Sequence, residues 1–253
     1  MKQGLNGVAY GLIALDSANF KVPASAKWTK QKLVNELISK QNKDGGWTWD
    51  PSSTTSDIDT TAMVLTALAP HKGEAGVQEK IDQAVEYLSK QYHAGKIDNS
   101  STAAQAVIAL SSLNLDASDA SFTKDGTSLI SYLLTFQNAD GGFDWQGGDV
   151  SDAFSTSQGF QAVVAYQLKV NGKGPLYQLP LSQATGKAGA SSVATDSKPD
   201  DAAKKPTDRT DGKQGHKLPV TASEDYNMIA LGSLMILAGF VALFIQRRKK
   251  ASR

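Results

Sequence analysis

The sequence predicts an all-α fold of stacked two-helix units, followed by a chain of a different kind. Three observations carry this. Apolar residues recur at helical spacing in seven successive segments before about residue 174, and strand-type alternation is absent. The segments alternate between amphipathic ones with a charged face and small, nearly uncharged ones. One motif also occurs twice: Gln41-Asn-Lys-Asp44-Gly45-Gly46-Trp47-Thr-Trp49 returns as Gln137-Asn-Ala-Asp140-Gly141-Gly142-Phe143-Asp-Trp145. A repeat of this kind decides the architecture.

The first helix is expected over about 6–17, with Leu5, Val8, Leu12 and Leu15 on one stripe. Lys2, the run Val8 to Leu15 and Ala24-Ser25-Ala26 imitate a secretory signal. Gly4, Asn6, Gly7 and Gly11 interrupt that run and Asp16 closes it, so a repeat helix is the better reading. The second helix, about 25–41, puts Leu33, Val34, Leu37 and Ile38 on one face and Lys30, Lys32, Glu36 and Lys40 on the other. The Gly45-Gly46 pair then permits a tight turn. Asp57 or Asp59 caps the third helix, which carries Met63, Val64, Leu65 and Leu68 and ends at Pro70. The fourth has Val77, Ile81, Val85 and Leu88 spaced by four, four and three. The fifth, from Asn99 or Ser100 to Leu113, is rich in Ala and apolar nearly all round, as buried helices are. The sixth is expected over about 125–137 and the seventh over about 155–169.

The amphipathic second, fourth and sixth helices fit an outer layer with one face to water. The uncharged first, third, fifth and seventh fit an inner layer. Two-helix units in two such layers form an α/α toroid or solenoid.

Composition narrows the function. A formal charge of +1 with 20% charged residues argues against a nucleic-acid partner. With no Cys there is no disulfide, thiolate chemistry or cysteine metal site. From about 175 the chain changes character. The segment 182–217 has no aromatic residue and is read as a disordered linker within 175–217. Its 36 residues would span roughly 30–36 Å root-mean-square. Leu218-Pro219-Val220-Thr221-Ala222 follows, then an uncharged stretch over 228–245, then Arg247-Arg248-Lys249-Lys250. Eighteen helical residues cover about 27 Å, enough for a single transmembrane helix. The basic cluster marks its cytoplasmic side.

This order resembles the cell-wall sorting signal of Gram-positive surface proteins, whose motif is Leu-Pro-x-Thr-Gly; Ala222 stands here in place of the Gly. The resemblance implies that a sortase cuts after Thr221 and joins it to peptidoglycan, from a precursor held in the membrane. It places residues 218–253 in a sorting signal, 175–217 in a wall-spanning linker and 1–174 in the helical domain. That domain resembles the terpenoid-cyclase and transcobalamin-like toroids, through Gln41-x-x-x-Gly45-x-Trp47 and through Ile58-Asp59-Thr60-Thr61. Their ring has six inner and six outer helices, so seven helices imply a partial toroid. The implied chain is then truncated, with a signal peptide and earlier repeats upstream.

The resemblance also names candidate residues. Asp59 falls where class II terpene cyclases carry their catalytic acid, and is the one candidate for catalysis. The competing reading is that Asp59 only caps the helix, since Asp and Thr at a helix start need no other explanation. The matching positions further on read as Asn99-Ser100-Ser101 and Ser155-Thr156-Ser157, which are caps and not acids. Trp47, Trp49, Asp57, Asp59 and Trp145 are the candidate ligand contacts, stacking on a sugar or on a cobalamin-type corrin. For the aromatics the alternative is packing between helices. His71, His93 and His216 stand in unrelated places, so no metal site is expected. The expected protein is a non-catalytic, wall-anchored surface protein that binds an extracellular small ligand. An adhesive or structural stalk and a cyclase-like enzyme are the alternatives.

Overall fold

The computed structural model describes residues 4–50 and 52–178. Among them are seven α-helices: α1 (Gly4–Ser17), α2 (Lys30–Ser39), α3 (Ile58–Leu68), α4 (Val77–His93), α5 (Ser100–Ser112), α6 (Leu129–Leu134) and α7 (Ala153–Val170). The odd-numbered helices form a row in which α1 packs on α3, α3 on α5, and α5 on α7. Each even-numbered helix lies against the inner helix before it: α2 on α1, α4 on α3, α6 on α5. Composition explains the division. Ten of the thirteen residues of α5 are buried, and its alanines at 103, 104, 106 and 109 let α3 and α7 approach closely. Helix α4 buries Val77, Ile81, Ala84, Tyr87 and Leu88 and turns its charged side to water.

Leu5, Val8, Ala9 and Leu12 of α1 are buried in the same core, as a repeat helix requires. No described helix is long and apolar enough to cross a membrane. The pentapeptide at 218–222, the span at 228–245 and nearly all of the linker lie outside the described residues.

Several sequence expectations need correction. Helix α2 begins at Lys30, not near residue 25. Thr29 caps it by accepting from the Lys32 N–H, and a turn at Pro23–Ala26 occupies the preceding residues. Strands are not absent: β1 (Thr123–Lys124) and β2 (Thr127–Ser128) pair antiparallel. They are joined by Asp125-Gly126, both at positive φ (50° and 78°), the backbone that a two-residue hairpin favours. This hairpin takes the residues expected to open the sixth helix, so α6 is a short Leu129–Leu134 capped by Ser128. An Asp-Gly pair outweighed the helical period around it.

A tie from α7 fixes the loop that follows α5. Asp116 accepts from Lys169 Nζ at 2.5 Å and from the Tyr166 hydroxyl at 3.2 Å. It also accepts from the Ser118 hydroxyl and backbone N–H, at 2.7 and 2.9 Å. The Lys169 hydrogen bond, then those from Ser118, hold its carboxyl well below the usual carboxylate range. A depressed carboxylate stabilises the fold above its unfolded pKa of about 3.9, and loses that contribution as the pH falls. Asp116 is partly exposed, so Asp116→Asn should cost no more than about 1 kcal/mol at pH 7. In urea denaturation the gap between variant and wild type should close as the pH is lowered below about 4.

Candidate functional site at the rim of the inner helices

The repeated motif forms the joint that carries the chain from an outer helix to the next inner one. At both copies a glutamine side chain donates to a backbone carbonyl four residues on: Gln41 to Gly45 at 2.7 Å and Gln137 to Gly141 at 3.1 Å. The following Asp closes the turn onto the second Gly, Asp44 onto the Gly46 N–H and Asp140 onto the Gly142 N–H. The same carboxylates accept from Ser56 and Ser151, at 2.6 and 2.7 Å. Gly45 has φ +91°, and a Cβ there would lie 2.6 Å from the Gln83 carbonyl oxygen of α4. Both the backbone angle and the close approach demand glycine.

A threonine then pins the aromatic residue that follows. Thr61 Oγ1 accepts from the Trp47 N–H at 2.9 Å, and Thr156 Oγ1 accepts from the Phe143 N–H at 2.9 Å. The backbone pairs as well, Asp57 N–H to Trp47 O and Asp152 N–H to Phe143 O, both at 2.9 Å. Trp47 is fully buried and donates its indole N–H to the Leu37 carbonyl. Phe143 is equally buried and lies flat on Gly159 of α7, where a Cβ would come within 2.6 Å of the ring. These two aromatics therefore pack the joint. Trp47, a candidate contact by sequence, cannot reach a ligand.

The aromatic two residues further on in each copy is exposed instead. Trp49 is 59% exposed and Trp145 54%. Their carbonyls, by contrast, are fixed. Trp49 O accepts from the Leu5 N–H at the start of α1, and Trp145 O from the Ser100 N–H at the start of α5. Each exposed indole thus stands beside the N-terminus of an inner helix.

Asp57 is the cap of α3. Its side chain accepts from the Thr60 N–H at 2.7 Å, and from the Trp49 N–H at 3.3 Å. Asn99 and Asp152 do the same for α5 and α7. The cap acid is therefore present in both full copies of the motif, which corrects the sequence alignment that matched Asp59 to Ser155. Asp59 is not the cap. It lies in the first turn, exposed at the rim, where Ser101 and Phe154 stand in α5 and α7.

Partial desolvation pushes the Asp59 carboxyl above its usual range, against a hydrogen bond from Thr102, with the Asp57 and Asp98 carboxylates adding to the rise. A cleft of about 390 Å³ opens beside this carboxyl, lined by Asp57, Asp59, Tyr87, Gln91, Lys96 and Thr102. Burial, then the Asp44 and Asp57 carboxylates, push the Tyr87 phenol up to about 12, so it stays protonated and donates to Ser56 O. Tyr87, Gln91, Lys96 and Thr102 were not singled out in the sequence. They come from α4, the loop after it and α5, and only packing brings them together. Among the described residues no group of His, Asp and Glu is arranged to hold a metal ion.

The geometry separates the roles by mutation. Trp47→Ala should destabilise the fold by about 3–5 kcal/mol, as removal of a large buried side chain does, whereas Trp49→Ala and Trp145→Ala should stay within about 0.5 kcal/mol. Asp57→Ala should cost about 1 kcal/mol as a lost cap, and Asp59→Asn nothing, in thermal or urea unfolding at pH 7. A loss at Asp59 equal to that at Asp57 would contradict the capping assignment.

Among known families, residues 210–252 match the one described as the LPXTG cell wall anchor motif. No curated protein and no solved structure matches the chain. The anchor match covers the pentapeptide at 218–222, the apolar span and the basic tail, and it implies sortase processing and attachment to peptidoglycan. The chain is a cell-wall-anchored surface protein of the Gram-positive type.

Proposed function

We propose that the helical domain is a partial α/α toroid which acts without catalysis, binding an extracellular small ligand at the rim of its inner helices. The anchor then serves to display that domain. The observation that carries the reading is the split between the paired aromatics. Trp47 and Phe143 satisfy the packing of the joint, while Trp49 and Trp145 stay exposed on backbone that is hydrogen-bonded in place. Packing alone does not account for two exposed indoles at equivalent positions. Rigid, solvent-facing aromatics offer stacking surface at low entropic cost. The cleft beside Asp59, about 390 Å³, is within the range of small-ligand sites and supplies carboxylate, phenol, amide and ammonium groups.

A cobalamin-type corrin is the first ligand to test, with a sugar ring as the other chemistry an indole face accepts. A non-catalytic role is favoured over cyclase-like chemistry because protonating an alkene needs a dry, strongly raised acid, and Asp59 is open to water. A purely structural stalk is the second reading, favoured by the extensive hydrogen bonding of the joints.

Titration of the ectodomain with cobinamide and cobalamin should change the corrin spectrum and quench tryptophan fluorescence, and Trp49→Ala with Trp145→Ala should abolish both. An unchanged spectrum at high micromolar ligand would sink the corrin reading. For the anchor, sortase is proposed to cut between Thr221 and Ala222 and to join Thr221 to the wall. Thr221→Ala should therefore move the protein from the wall fraction to the membrane or the medium.

A further inference from the structure

The chain does not leave the domain directly after α7. The helix ends with Lys173 N–H bonded back to Leu168 O and with Gly172 and Gly174 at positive φ. The next residues then turn back over the fold, closed by Gln178 N–H to Pro175 O. By composition they belong with the tether. In the fold Leu176 and Tyr177 pack against the hydrophobic core. The Tyr177 hydroxyl donates to Gln161 Oε1 of α7 at 3.0 Å. A small cavity of about 20 Å³ beneath the ring is bordered by Ile13 of α1, Thr66 and Ala67 of α3, and Ser112 of α5. Burial raises the Tyr177 phenol above its usual range, with Tyr10 of α1 the next contributor. Helices α1 and α7 stand at opposite ends of the inner row, whose main contacts run only from neighbour to neighbour. One short segment therefore reaches both ends.

We infer that Pro175–Gln178 is a clasp: the first residues of the path to the wall anchor are docked across the C-terminal ends of α1, α3 and α5, and this docking couples the packing of α1 to that of α7. The chemistry suits a reversible contact. Two half-buried side chains and one phenol–amide hydrogen bond hold it, which is little enough to release and enough to order both helices. A pull along the tether meets the clasp before it meets the last turn of α7. Undocking would free about 13 Å of chain, at up to 3.3 Å for each of four residues. The inference stands apart from the ligand reading, since it uses neither the rim nor its tryptophans.

Hydrogen exchange followed by mass spectrometry on the full chain tests it. In Leu176→Ala/Tyr177→Ala, exchange in the C-terminal end of α1 (13–17) and in α7 around Gln161 should accelerate together, by about tenfold, with α2 and α4 unchanged. Acceleration confined to residues 172–178, or to α7 alone, would overturn the clasp, because the segment would then be a local continuation of α7. If the double variant accelerates exchange throughout the domain, Gln161→Ala decides. It removes the phenol's partner together with contacts to Ser157 within α7, so α1 is the readout: a smaller acceleration there supports the clasp, whereas an unchanged α1 overturns it.

Discussion

A threonine hydroxyl, used twice, holds each copy of the joint to the inner helix that it opens. Thr61 accepts from the Trp47 N–H and donates to the Asp57 carbonyl at 2.7 Å; Thr156 receives the Phe143 N–H in the same way. The constraint behind this is general. A chain that crosses from the outer layer to the inner one must bury backbone N–H and C=O groups, and these need partners. A loop of this length has no regular ladder to supply them. The Asp-Gly-Gly turn, the Ser hydroxyl on its carboxylate and the threonine of the following helix supply them locally. Because the partners are short side chains close by in the sequence, the loop is held in one register.

That register decides which aromatic points where. Pinning the backbone of Trp47 and Phe143 aims those rings into the core, while Trp49 and Trp145, two residues on, hold their carbonyls on the starts of α1 and α5 and leave their rings exposed. The same pin brings Asp57 and Asp152 into position to cap α3 and α7. The rim is thus a by-product of solving a hydrogen-bonding problem inside the joint. The joint before α5 shows how much depends on the motif. It lacks the Asp-Gly-Gly turn, makes a shorter crossing through Gly95 and buries Ile97 instead of an aromatic ring, and it presents no outward indole of its own. Trp145, two helices later in the chain, fills the place beside the N-terminus of α5.

A protein without cysteine that works outside the cell must rely on packing and polar ties for its stability. The ties here are of two kinds. Buried ones, such as the threonine hydroxyls and the indole of Trp47, are shielded from salt and pH. Exposed ones, such as Lys169 to Asp116, change with both. Another cluster joins several elements: His71 bridges Asp16 of α1 and Glu74 before α4, at 2.7 and 2.6 Å, and Lys30 of α2 adds a second contact to Asp16.

The sequence by itself determined the helical class, the alternation of charged and uncharged helices, the repeat of the joint and the wall anchor. These rest on local chemistry: periodicity, turn residues, and a pentapeptide followed by an apolar span and a basic tail. It misread what depends on competition between neighbouring signals. The Asp125-Gly126 hairpin displaced the start of α6, and of the two cap candidates left open, Asp57 and Asp59, the joint's hydrogen bonds selected Asp57. Only tertiary structure decided which of two equivalent-looking tryptophans is buried. It alone brought Tyr87, Gln91, Lys96 and Thr102 to the cleft beside Asp59, and docked Leu176 and Tyr177 on the helices. In each case the physical reason is the same: side chains distant in sequence share one small volume, and no local pattern records that.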